Sequence, residues 1–91
     1  MSKFDLVKYK AIDRGWNKKD VQRVYKKIEE LASQFEGGSI FFNEIDELAM
    51  MLDEAIDYKL EYSLCRLIIE EKILFNKLNS SSQYVLELRN F

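Results

Sequence analysis

Residues 43–79 read NEIDELAMMLDEAIDYKLEYSLCRLIIEEKILFNKLN, and the way this stretch is taken decides the fold. It holds neither proline nor glycine. Asn43 stands as an N-cap with Asp46 at the third helical position. No strong stop signal follows before Asn79. The pattern predicts one helix of roughly 35 residues, long for a globular domain, either continuous or broken near Asp57–Ser63.

At about 100° per residue, this helix presents Ile45, Leu48, Ala49, Leu52, Ala55, Ile56 and Leu60 on one core face. Asp46, Glu47, Asp53, Glu54, Asp57 and Glu61 fall on the adjoining flank, with Met50 among them. A charge run usually means a solvated face. Against that, carboxylates at three- and four-residue spacing repel one another, and nothing within the helix offsets the cost. A basic surface would, whether residues 18–27 of the same chain, a second copy or another protein. A further flank carries Tyr58, Tyr62, Cys65, Ile69 and Ile73, while Leu64, Leu67, Ile68, Leu74, Phe75 and Leu78 continue the core on the opposite side. A helix apolar on two faces is sandwiched. Its second face is covered either by the short first and last helices of the chain or by a symmetric homodimer centred on these five residues.

Working outward, Gly37 and Gly38 end a preceding helix that Asn17 caps, with Asp20 at its third position and apolar residues at Val21, Val24, Tyr25, Ile28, Leu31, Ala32 and Phe35. Ser39–Phe42 is read as a connection that folds back on the core. A short first helix is expected over about Lys3–Asp13, with Gly15 past its end. Ser80 and Gln83 form a capping-box pair before Tyr84, Val85, Leu88 and Phe91. Tyr84, Leu86 and Leu88 also alternate as a strand would, but a lone strand without partners is poor structure, so a C-terminal helix is expected. The predicted fold is thus all-α: a single helical domain over residues 1–91, a bundle of four helices (five if the long central one breaks). Its core includes Val21, Val24, Ile28, Leu31, Phe35, Leu48, Leu52, Ile56, Leu67 and Leu74.

The composition excludes several kinds of chemistry. The 91 residues include no histidine, one cysteine and three glycines. Triads, histidine bases and nearly all zinc sites need histidine. Gly15, Gly37 and Gly38 are spaced for neither a phosphate loop nor a dinucleotide fingerprint. Neighbouring carboxylates such as Asp53–Glu54 and Glu70–Glu71 splay apart on a helix, and Cys65 on an apolar stripe reads as a packed thiol. No cofactor, no metal and no catalysis are expected.

Charge is segregated along the chain. Residues 1–27 hold nine basic groups against three acidic ones, a net of +6, and residues 28–62 hold ten acidic groups against one basic, a net of −9. The segregation points to a protein partner for the acidic flank, with Asp46, Glu47, Met50, Asp53, Glu54, Asp57 and Glu61 as contact residues. In its sharpest form, these carboxylates block a site on the partner that normally receives nucleic-acid phosphates. The main alternative is a small nucleic-acid-binding regulator. It would use Lys18, Lys19, Arg23, Lys26 and Lys27, just after Tyr9 and Trp16. A third class is a structural or chaperone-like partner using the aliphatic stripe. In general type the chain is similar to small inhibitors, antitoxins and cytosolic immunity proteins of phages and mobile elements, though no motif carries that likeness and it transfers no residues. The chain opens without a signal peptide, no apolar run is long enough to span a bilayer, and the apolar face of the basic helix is needed for the core. A cytoplasmic protein without membrane attachment is expected.

Overall fold

The computed structural model of the chain describes residues 15–55, 58–78 and 83–89. Its elements in order are α1 (Lys18–Ala32), a 3-10 turn (Glu36–Gly38), β1 (Ser39–Phe42), α2 (Ile45–Met51), α3 (Tyr58–Ile69), β2 (Ile73–Lys77) and β3 (Tyr84–Leu88). The three strands form one antiparallel sheet in the order β1-β3-β2. The all-α bundle is therefore overturned: among the described residues the fold is α+β, with three helices and a three-stranded sheet. The expected first helix over Lys3–Asp13 lies outside the described residues.

α1 forms as its sequence predicts. The Asn17 side chain accepts from the Asp20 backbone N–H at 2.9 Å. Val21, Val24, Ile28 and Ala32 make the buried stripe. The long central helix does not form, and its two breaks share one cause. Each helix ends in a Schellman turn, with the N–H of the second residue past the cap reaching back five positions. Glu54 donates to the Ala49 carbonyl at 2.9 Å, and Lys72 donates to the Leu67 carbonyl at 3.0 Å. Such turns place one residue in the left-handed region, a position usually held by glycine. Here it is held by Asp53 (φ 55°) and Glu71 (φ 61°). With no glycine at either stop, the pattern runs through both. Asn43 is not the N-cap of α2 either; Glu44 holds that position, without a side-chain capping bond.

Glu71 is exposed, so glycine there would relieve the left-handed strain at little other cost. Glu71→Gly is expected to raise the unfolding free energy by about 0.5–1 kcal/mol, measured by urea denaturation. A loss of stability would show that the turn owes its form to something other than backbone geometry.

The segment after Glu71 becomes β2, and the two stretches read as connection and helix become β1 and β3. Leu86 pairs with Ile40 on one side and Phe75 on the other. The strand alternation seen at Tyr84, Leu86 and Leu88 is thus the correct reading, because partners for it exist on both edges. The inward face carries Ile40, Phe42, Ile73, Phe75 and Leu86, all in one core cluster with Val24 and Ile28 of α1 and Leu60, Leu64 and Leu67 of α3. Phe42 meets Phe75 edge-on with ring centroids 5.3 Å apart and stacks on Tyr84 at 5.7 Å. Among the expected core residues, Val21, Val24, Ile28, Leu48, Leu52 and Leu67 are buried and Leu31 packs at the margin, whereas Phe35 and Leu74 are exposed. Ile56 lies outside the described residues. Leu74 is exposed because β2 alternates and its neighbours Ile73 and Phe75 take the inward positions.

Candidate functional site

The basic and acidic halves of the sequence meet first inside the molecule. The left-handed turn at Asp53 carries Glu54 against the outer flank of α1. Arg23 grips it with two bonds, Nε to Oε2 at 3.1 Å and Nη2 to Oε1 at 2.9 Å. Lys27 Nζ adds a bond to Glu54 Oε2 at 2.5 Å and another to the Asp53 backbone carbonyl at 2.9 Å. Arg23 Nη1 also reaches Asp20 Oδ1 at 2.6 Å. The Glu54 side chain is only 8% exposed. The Arg23 hydrogen bonds hold its carboxyl below the usual range, against the opposing pull of burial, and Lys27 helps. The same pairing drives the Arg23 guanidinium upward. Glu54, Arg23 and Lys27 thereby serve the fold, which removes one residue from the acidic contact set and two from the basic one.

What remains of the acidic set is concentrated on α2. Asp46, Glu47 and Met50 are exposed on the helix and Asp53 is exposed at its closing turn, while Ile45, Leu48, Ala49 and Leu52 are buried opposite. Met50 is the most exposed large apolar side chain among the described residues, at 78%. Asp57 lies outside the described residues. Glu61 sits half-buried on α3, apart from α2. The single flank of six carboxylates is thus cut by the break between the helices.

The aliphatic stripe is also cut. Cys65 and Ile73 are each 1% exposed, inside the core cluster. Ile73 lies on β2, paired with Leu88. Ile69 and Tyr62 are half-buried on α3, and a β-carbon at Gly15 would collide with the Tyr62 ring, so that ring already packs against the chain at Gly15. Tyr58 opens α3, its side chain outside the described part. The five residues expected at a homodimer seam therefore do not form one surface, and two of them are buried in the chain's own core. Burial, reinforced by the Glu61 charge, pushes the Cys65 thiol up to about 11, which keeps it protonated at neutral pH.

On the basic side, Lys18, Lys19 and Lys26 are exposed on α1, and none has an ion pair among the described residues. The sequence reading missed two surface features. One is a groove of about 290 Å³ between α1 and the end of α2, lined by Lys27, Glu30, Leu31, Gln34, Met51 and Asp53 among others. The other is a groove of about 230 Å³ beside Trp16, whose ring carries the Arg66 guanidinium at 4.4 Å from its centroid. The sequence does place Trp16 beside the basic helix, but not its partner Arg66, which lies fifty residues on. Among the described residues no cluster of metal-ligating side chains forms, and no helix is long and apolar enough to cross a membrane. Neither a family model, a curated protein nor a solved structure matches the chain, so its function has to be argued from its own surfaces.

Proposed function

We propose that this chain is a non-catalytic protein-binding regulator whose contact surface is the exposed face of α2: Asp46, Glu47, Met50 and Asp53. The observation that carries the reading is Met50, 78% exposed at the centre of these carboxylates. An apolar side chain ringed by charge is the pattern of an interface core with a polar rim, and methionine is enriched in such cores because it repacks against varied shapes. The fitting partner surface is basic with an apolar dimple. The phosphate-binding face of a nucleic-acid-binding protein has that chemistry, and the carboxylates would occupy it in place of phosphates. Inhibitors, antitoxins and immunity proteins are regulators of this type. The full chain has no histidine and its one thiol is buried and protonated, which also favours binding over catalysis.

The test is a photo-crosslinker at position 50, followed by affinity measurement with the partner it captures. Glu47→Lys, Met50→Lys and Asp53→Lys combined should weaken that complex at least a hundredfold, since attraction becomes repulsion at each site. The three positions are exposed, so melting should shift by only a few degrees. Unchanged affinity in the triple variant would reject the α2 surface. The variant leaves Glu54 in place, because charge reversal there would damage the fold.

A further inference from the structure

The groove beside Trp16 lies on another part of the surface and is unused by the α2 reading. Trp16, Lys18, Val21, Gln22, Glu70 and Lys72 line it. Trp16 is 36% exposed and is steadied by Arg66 on its ring. Glu70 is the one anion, and it is already occupied: Arg66 Nε donates to it at 2.6 Å and Lys72 Nζ stands 3.5 Å away. The lining itself holds two cations, Lys18 and Lys72, against that one carboxylate, whose charge Arg66 beneath the Trp16 ring largely offsets. From this rim Lys18, Gln22 and Lys26 continue along one strip of α1, four residues apart, covering about 12 Å.

We propose that this groove takes one base of a single-stranded nucleic acid, stacked at Trp16, with the adjoining phosphates on Lys18 and Lys72 and the next along the strip on Lys26. An aromatic platform set in a cationic groove is what sequence-tolerant single-strand binding requires, since every base offers a π-face and every linkage a charge. The size agrees: about 230 Å³ lies below the usual range for drug-sized ligands and suits one planar heterocycle. A duplex is a poorer fit, because its bases are stacked on one another and closed to Trp16. An acidic peptide would use the lysines and leave the tryptophan without a role.

Trp16 is the only tryptophan in the chain, so its emission reports the groove directly. The full chain is titrated with an eight-nucleotide oligothymidylate at 50 and 200 mM salt. Saturable quenching is expected, with affinity falling about tenfold or more between the two salts if three phosphates are contacted. Lys18→Glu with Lys72→Glu should weaken binding at least tenfold while the melting curve stays cooperative. An abasic oligomer of equal length should bind more weakly and leave the emission unchanged. Trp16→Leu, followed by anisotropy of a labelled oligonucleotide, should lose most of the difference between the two oligomers. Absent quenching, equal quenching by a duplex or by an octaglutamate peptide, or equal affinity in the lysine variant would each overturn the proposal. None of these outcomes touches the α2 face, so the two readings succeed or fail separately.

Discussion

Leu86→Ala is expected to cost about 3–4 kcal/mol of unfolding free energy, because a fully buried leucine loses both its transfer energy and its packing. Leu86 is 0% exposed at the middle of the central strand, between Ile40 and Phe75. For a domain of this size that loss corresponds to a melting temperature lower by roughly 15–25 °C. Total stability of a 91-residue chain is only about 5–14 kcal/mol, so the variant would sit near the limit of folding at 37 °C. The measurement also separates two folds. In a C-terminal helix with Tyr84, Val85, Leu88 and Phe91 inward, position 86 faces away from the core and alanine would cost little. A loss below about 1 kcal/mol would therefore remove β3 from the centre of the sheet. Urea denaturation with a far-ultraviolet circular dichroism readout is sufficient.

Glu54→Gln should cost about 1–2 kcal/mol at pH 7. The carboxylate is held by two cationic side chains and is 8% exposed, which places the network above ordinary surface pairs. Arg23 is itself 43% exposed, and solvent screening there keeps the cost well below that of a fully buried pair. The pH dependence has a definite sign. An unfolded glutamate titrates near about 4.3, and the folded Glu54 titrates lower because Arg23 and Lys27 favour its charged form. The network's contribution is therefore complete above about pH 5 and is lost as pH falls through the depressed folded value. The gap between wild type and Glu54→Gln should close toward acid. A gap that is absent at pH 7, or that persists unchanged at pH 2, would show that the pairing does not stabilise the fold.

The exposed face of α2 is partly legible in the sequence. Asp46, Glu47, Met50 and Asp53 lie within eight residues, and short-range helical spacing is enough to put the first three on one exposed side. Sequence adjacency to Asp53 groups Glu54 with them. The left-handed turn at Asp53 sends that next residue against α1, which no spacing within the acidic segment discloses. The stripe from Tyr58 to Ile73 is split for a related reason: a spacing of four from Ile69 to Ile73 carries meaning only if the helix continues, and the turn at Glu71 ends it.

Local interactions settled α1 from residues 17–32 alone, because its Asn17 cap and its buried stripe at Val21, Val24 and Ile28 depend on neighbours three and four positions away. The same residues also announced that basic and acidic surfaces would have to be matched. The sheet belonged to the tertiary structure. β2 and β3 pair as successive strands, but a two-stranded pair is marginal by itself, and the third strand, β1, comes from more than forty residues away in the chain, so Ser39–Phe42, Ile73–Lys77 and Tyr84–Leu88 each look like poor strands in isolation and become good ones only together. Tertiary packing also chose where the helices stop, holding Asp53 and Glu71 in a conformation their side chains disfavour. Burial of Ile40, Phe42, Ile73, Phe75 and Leu86 against α1 and α3 supplies the free energy that offsets that strain, and it is available only once the whole sheet has formed.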